Sequence, residues 1–182
     1  WVAMKETTAY FMNKYLRQVV TSGTGGSAGF SGMTVAGKTG TTTDNYDRYF
    51  VGYTPYYVAA VWTGYEVNVK INASGNPSAK LFRQVMSKIH ANLPNKSFFS
   101  VDSGLTSVKV CMDCGNLASD LCAQDIRGSR VKTVEVASGT APAAVCTCHV
   151  AVDWCAEGEA IATEFCPADQ VVQKSAVDYT RS

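Results

Sequence analysis

Apolar positions recur at helical spacing near the start of the chain and again near its middle. In residues 4–21 the apolar side chains stand three, four or seven positions apart, which predicts an amphipathic helix that Gly23 ends. A second helix is predicted from Pro77, which suits a first helical turn, to about residue 93, before Pro94. The apolar positions predicted to share one face of this second helix are Ala79, Phe82, Val85, Met86, Ile89 and Leu93.

Between the two predicted helices the chain is rich in β-branched and aromatic residues. Strands are predicted at 34–42, 49–54 and 57–65, separated by an Asp44-Asn45 turn and by Pro55. Because the links are short, an antiparallel meander is the simplest arrangement. The sequence therefore predicts an α+β fold in which a partial antiparallel sheet carries flanking helices. The Gly/Ser-rich residues 24–32 are predicted to form a loop.

The pattern weakens after residue 97 and the composition changes. Short β-like segments at 106–110, 131–136 and 144–150 alternate with turns, and all seven cysteines follow Val110. We therefore expect two domains: residues 1–96, and a small cysteine-rich extension of strands and loops over 97–182.

Composition excludes several classes of partner. The chain has 182 residues and a net charge of +1, so it shows no basic footprint for nucleic acid or an anionic membrane. The uncharged stretch 51–65 is too short and too broken to span a bilayer. We expect further residues before Trp1 in the parent protein, and any membrane anchor to lie outside this chain.

Residues 32–39 match a phosphate-binding loop, Gly-x-x-x-x-Gly-Lys-Thr. That loop needs a buried strand before it and a helix after it, so that backbone N–H groups face phosphate. Here a Gly/Ser-rich loop precedes the match and a Thr-rich turn sequence follows it. A nucleotide site, which ATP with magnesium would stabilise, is therefore not expected.

A different chemistry is possible at Lys38, Thr39, Gly40 and Thr41. On a strand, Thr39 and Thr41 share one face and Lys38 the other, so two hydroxyls make a polar shelf for a carboxylate. Gly40 lets a substrate backbone approach closely, and an exposed Thr41 N–H suits a developing oxyanion. The tripeptide alone equally fits a Thr-rich edge strand with one solvated lysine.

The wider sequence resembles class A penicillin-binding proteins. The resemblance lies in 21–25, 35–42, 47–55, 59–65 and the Asn76-Pro77 helix start, and covers residues 1 to about 93. It implies a serine-type D,D-transpeptidase that cross-links D-Ala-D-Ala stem peptides of peptidoglycan, is trapped by β-lactams, and works on the extracytoplasmic face of a bacterial membrane. It also implies that Thr39 and Thr41, with Gly40 between them, bind the terminal carboxylate. The Thr41 amide would be an oxyanion donor, and Lys38 would supply electrostatic support.

The family's Ser-x-x-Lys nucleophile and Ser-x-Asn motifs precede Lys-Thr-Gly in chain order, and neither occurs in residues 1–37. Two matches occur later, at 129–132 and 74–76, but the first leads into a predicted strand and the second into a loop. We assign both to chance. The chain alone is thus predicted to be inactive, and to expose apolar faces that the rest of the domain would cover.

The cysteines leave two alternatives open. Cys111-x-x-Cys114 with Cys146-x-Cys148-His149 offers zinc ligands, whereas an extracytoplasmic parent favours disulfides. We expect disulfides, with at least one thiol left over, and neither a metal nor any other cofactor. His90 is expected to be an ordinary surface or packing residue and His149 to have a structural role. A non-catalytic module that binds cell wall or protein is the alternative function for the extension. The disulfide candidates are Cys111, Cys114, Cys122, Cys146, Cys148, Cys155 and Cys166.

Overall fold

The computed structural model describes residues 2–101 and 103–180 and divides the chain into two compact units, residues 1–102 and 103–182. Among the described residues, no helix has the length and apolar character needed to cross a membrane.

The first unit is an α+β unit built on one three-stranded antiparallel sheet with strand order β1-β2-β3, as the sequence predicts. Each strand lies within two residues of its predicted bounds. The turn residues Asp44 and Asn45, both at positive φ, separate β1 from β2 as predicted. The elements are α1 (Glu6–Thr21), β1 (Ala36–Thr41), β2 (Arg48–Tyr53), β3 (Val58–Thr63) and α2 (Pro77–Ile89).

The core of this unit lies between the sheet and α2. Phe50 of β2 and Phe82 of α2 are fully buried, and their ring centroids lie 4.9 Å apart in an edge-on arrangement. Val20 of α1 and Met86 of α2 join the same cluster. The start of α2 is fixed by Asn76, whose side-chain oxygen accepts the Ala79 N–H at 3.1 Å.

Two strand glycines let the sheet approach its neighbours. A Cβ on Gly52 would lie 2.9 Å from the Phe82 ring, and one on Gly37 would lie 2.7 Å from the Val51 carbonyl oxygen.

We expect Gly52→Ala to lower the free energy of unfolding of the first unit by about 1–3 kcal/mol, because the packed rings must move. Hydrogen exchange of the β2 amides measures this. Gly26→Ala, whose Cβ meets nothing closer than 3.8 Å, is the matched control; equal protection in the two variants would contradict the prediction.

The second unit consists of short strands and one helical turn. β4 pairs with β5, and β6 lies between β7 and β8, all antiparallel. The predicted segments at 106–110 and 131–136 lie within β4 and β5, whereas the third lies mostly before its strand. The elements are β4 (Leu105–Cys111), α3 (Asp120–Ala123), β5 (Val131–Ala137), β6 (His149–Cys155), β7 (Ala160–Ile161) and β8 (Val171–Val177).

The structural division falls after residue 102, six residues beyond the boundary expected from composition. The reason is that residues 97–100 pack with the first unit. Phe98 contacts the Tyr53 ring with centroids 5.2 Å apart, and residues 97–100 line a cleft together with α1.

Candidate functional site

β1 is an edge strand whose outward backbone groups can be identified from its register. Thr41 pairs with Arg48, and the next N–H along the chain, that of Thr42, donates to the Asp47 carbonyl oxygen at 3.2 Å. Antiparallel hydrogen bonding alternates along a strand. The backbone N–H groups of Lys38 and Gly40 therefore point towards β2, whereas those of Thr39 and Thr41 point away from it. Among residues 2–101, no strand pairs with that open edge.

Two hydroxyls lie on this strand, and each has a partner from another element. Thr39 Oγ1 lies 2.8 Å from Thr24 Oγ1, and Arg48 Nη1 donates to Thr41 Oγ1 at 3.3 Å. Arg48 Nε is buried and has no hydrogen-bond partner in the described part of the chain. The Thr41 hydroxyl is thus next to a guanidinium group, which is the side chain that binds carboxylates best.

Lys38 and Gly40 lie on the other face of the pleat. Lys38 is exposed and its Nζ donates to the Thr39 carbonyl oxygen at 3.0 Å. A Cβ on Gly40 would lie 3.2 Å from the Tyr49 Cβ, so a larger residue would crowd β2. The structure therefore brings all four predicted site residues together on one strand, with a fixed positive charge at its exposed face.

Thr24 and Arg48 are the polar neighbours that sequence reasoning missed. Both lie inside segments that carry the family resemblance, but neither belongs to the Lys-Thr-Gly motif. Arg48 could have been found from the hairpin register, since a symmetrical β1–β2 pairing places it opposite Thr41. The contact of Thr24 depends on how a Gly-rich loop folds back, which local pattern does not predict.

Other matches in the sequence have no catalytic geometry. Ser129 lies in a loop before β5, and residues 74–76 form the loop before α2. Ser129 does not begin a helix, as the nucleophile motif requires. The phosphate-loop match enters β1 at Ala36 and continues as a strand, so it has no helix N-terminus for phosphate.

The first unit exposes two apolar surfaces, as expected. On the sheet face opposite α2, Tyr49, Val51 and Trp62 are each more than two-fifths exposed. Along α2, Leu81, Val85 and Ile89 form a second exposed stripe at helical spacing. The predicted apolar face of α2 is therefore narrower in the structure: Val85 and Ile89 lie outside the core, and His90 is buried instead, with Nε2 2.9 Å from the Thr54 hydroxyl.

The cysteines of the second unit do not pair as expected, apart from a disulfide between Cys155 and Cys166. The five other cysteines are free, so the disulfide expectation is not met for them. The physical reason is that their sulfurs converge on one region with the Nδ1 atom of His149 instead of facing each other in separate pairs. We refer to this group as the thiol cluster: Cys111, Cys114, Cys122, Cys146, Cys148 and His149.

Carboxylates and guanidinium groups border the thiol cluster. The Arg127 side chain donates to Asp125 at 2.8 Å and thereby lowers the pKa of that buried carboxyl to about 2. Hydrogen bonds from Arg130 likewise lower the pKa of Asp113. His149 Nε2 lies 3.0 Å from Asp125 Oδ2 but without the alignment of a hydrogen bond, so this buried nitrogen has no hydrogen-bond partner in the described part of the chain.

Two known protein families match the chain, one mainly in each of its two units. Residues 2–87 match the family described as penicillin binding protein transpeptidase domain. Residues 101–151 match the family described as Penicillin-binding protein 1A, C-terminal domain.

Curated relatives agree with these matches. The chain is 39% identical to a Penicillin-binding protein 1A of Clostridium perfringens over 142 residues, which is 78% of this chain and 17% of that protein. It is 32% identical to Penicillin-binding protein 1A/1B of Bacillus subtilis over 158 residues, again 17% of the relative. The chain thus spans about a sixth of the length of these relatives.

The fold also resembles a solved structure. A crystal structure of Penicillin-Binding Protein 1A from Haemophilus influenzae matches with a TM-score of 0.56 and 18% identity, covering 79% of this chain and 22% of that one. This likeness concerns the α+β fold.

Proposed function

Because this chain belongs to the penicillin-binding protein family, we propose that its first unit is the carboxylate- and oxyanion-binding part of a peptidoglycan D,D-transpeptidase. The observation that carries the proposal is the open edge of β1, where the Thr41 N–H points away from β2 beside the hydroxyls of Thr39 and Thr41. An edge strand with unpaired N–H groups can accept an extended peptide as an additional strand.

The reaction is acyl transfer at the D-Ala-D-Ala end of a stem peptide. A serine elsewhere in the domain attacks the peptide carbonyl, D-Ala leaves, and the acyl-enzyme passes to an amine of a neighbouring stem peptide or is trapped by a β-lactam. The Thr41 N–H donates to the oxyanion that forms at the attacked carbonyl, and it does so without reorganisation because β1 is already fixed by β2.

The terminal carboxylate binds beside this oxyanion site. The hydroxyls of Thr39 and Thr41 donate to it, and Arg48 adds a charge-assisted contact from the neighbouring strand, since its guanidinium already reaches Thr41 Oγ1. Lys38 is exposed one residue away and raises the local positive potential that favours both anions.

The nucleophile lies outside these 182 residues in this proposal. The two Ser-containing matches are in loops, and the exposed sheet face around Trp62 and Val51 is where the rest of the transpeptidase domain packs. The active parent works at the extracytoplasmic face of a bacterial membrane, held by an anchor outside this chain.

A separate role of residues 103–182 as a non-catalytic module is tested by deleting them from the parent and comparing cross-linking with localisation.

The test uses fluorescent penicillin and two proteins. The isolated chain is expected to form no covalent band on a denaturing gel, because it lacks the serine. A chimera, in which residues 2–101 replace the matching segment of the Clostridium perfringens relative, is expected to form one. A band on the isolated chain would contradict the assignment of the nucleophile.

A further inference from the structure

The thiol cluster has the geometry of a metal site. The Sγ atoms of Cys111, Cys114, Cys146 and Cys148 all lie within 4.8 Å of one another, and those of Cys146 and Cys148 are 3.4 Å apart. A tetrahedral Zn²⁺ ion with four thiolates at about 2.3 Å would separate the sulfurs by about 3.8 Å. Small shifts of side chains that are already converged would complete such a site.

The four sulfurs come from two short segments, a turn after β4 and the residues just before β6. Cys111 ends β4 and Cys114 follows it in a turn that Gly115 closes at φ 76°, with the Gly115 N–H donating to the Cys111 carbonyl oxygen at 2.9 Å. The Asp113 N–H points to Cys111 Sγ at 3.4 Å, which favours a thiolate there. Cys146 and Cys148 precede β6. The spacing of Cys111-x-x-Cys114 is typical of structural zinc sites, and Cys146-x-Cys148 is one residue shorter.

The surroundings exclude water from the sulfurs. Cys111, Cys146 and Cys148 are buried, and only Cys114 is half-exposed, which leaves one route of entry for an ion. Arg127 and Arg130 both bind the Asp113 carboxylate, so two guanidinium groups stand close to a site that thiolates would make negative.

A second set of donors shares two of these sulfurs. Cys111, Cys122, Cys146 and His149 also lie within 4.8 Å of one another, with His149 Nδ1 3.4 Å from Cys146 Sγ. Cys111 and Cys146 therefore belong to both sets. The set of four cysteines uses two short chelating pairs, whereas Cys122 is eleven positions from Cys111 and closes a longer loop.

We propose that Cys111, Cys114, Cys146 and Cys148 bind one Zn²⁺ as thiolates. Each thiol releases its proton on binding, so four protons are exchanged for one divalent cation and no electron is transferred. The closed, four-coordinate site would join the end of β4 to the start of β6 and play a structural role. This proposal is independent of the transpeptidase assignment, because it concerns only the second unit.

The experiment loads the full 182-residue chain with zinc under reducing conditions and counts metal by native mass spectrometry. One zinc per chain is expected. In a second sample kept free of reductant throughout, chelation followed by alkylation of the denatured protein should modify all five free cysteines and spare the Cys155–Cys166 disulfide. No bound zinc, or fewer than five alkylated cysteines, would overturn the proposal.

Matched substitutions identify the ligands. Cys111→Ser and Cys146→Ser should abolish binding, as should Cys114→Ser, whereas Cys122→Ser and the Cys155→Ser/Cys166→Ser pair should retain one zinc. Retention in Cys114→Ser together with loss in Cys122→Ser would overturn the four-cysteine set. Because a ligand variant can fail to fold, cobalt substitution of the unmodified chain provides a second readout. Four-thiolate coordination predicts intense sulfur-to-cobalt charge-transfer bands, and an octahedral spectrum without them contradicts it.

Discussion

Replacing Thr41 with proline in the chimera is expected to slow acylation by fluorescent penicillin by about 10²–10³-fold, the typical cost of removing one oxyanion donor. Proline removes the backbone N–H at that position together with the threonine hydroxyl, and the register directs this N–H away from β2. The hairpin should therefore survive, since proline is tolerated on an edge strand where its nitrogen faces outward, and Gly40 before it adapts easily.

Two matched variants separate the N–H from the hydroxyl. Thr41→Val keeps the N–H and loses only the hydroxyl that Arg48 contacts, so it should weaken acylation by about tenfold or less. Thr41→Ser should restore most of the rate. Equal losses in the proline and valine variants, at unchanged thermal stability, would show that the N–H contributes nothing.

Truncating Phe82 should strongly destabilise the first unit. Phe82 is fully buried against Phe50, so Phe82→Ala removes a ring from a packed core and is expected to cost about 3–5 kcal/mol. Hydrogen exchange of β2 and α2 amides reports this unit separately from the second.

Leu81→Ala is the control on the same helix. Leu81 is 45% exposed, so its truncation leaves no buried cavity, and alanine favours the helix. We expect a change within about 1 kcal/mol in the isolated chain. A cost for Leu81→Ala as large as that for Phe82→Ala would mean that the exposed stripe of α2 is packed.

The order and type of the first five elements were predictable because each has a strong local signal. Alternation and an Asp44-Asn45 turn define the hairpin, and Asn76-Pro77 defines the start of α2. The buried stripe of α2 was less predictable. His90 takes a core position because its ring finds the Thr54 hydroxyl and the Met86 carbonyl oxygen, a tertiary arrangement that an apolar pattern does not show.

The strand that carries the candidate site was predictable, whereas its polar neighbours were not. Lys38 to Thr41 form one strand as expected, but the contact with Arg48 depends on register and that with Thr24 on loop folding. In the second unit, β8 escaped prediction because its residues 171–177 mix apolar and polar positions without regular alternation. The spacing of the cysteines also could not show whether they form separate disulfides or meet at one site. The outcome depends on how the ends of β4 and β6, which are distant in sequence, come together.

The central claim is that β1 is the substrate-binding strand of a penicillin-binding transpeptidase, and the acylation rate of the chimera tests it most directly. We predict that fluorescent penicillin labels the chimera covalently, at a rate within about tenfold of the unaltered Clostridium perfringens relative, and that Thr41→Pro removes most of this labelling. A chimera that is folded, as judged by its melting transition, and yet forms no covalent adduct would contradict the account.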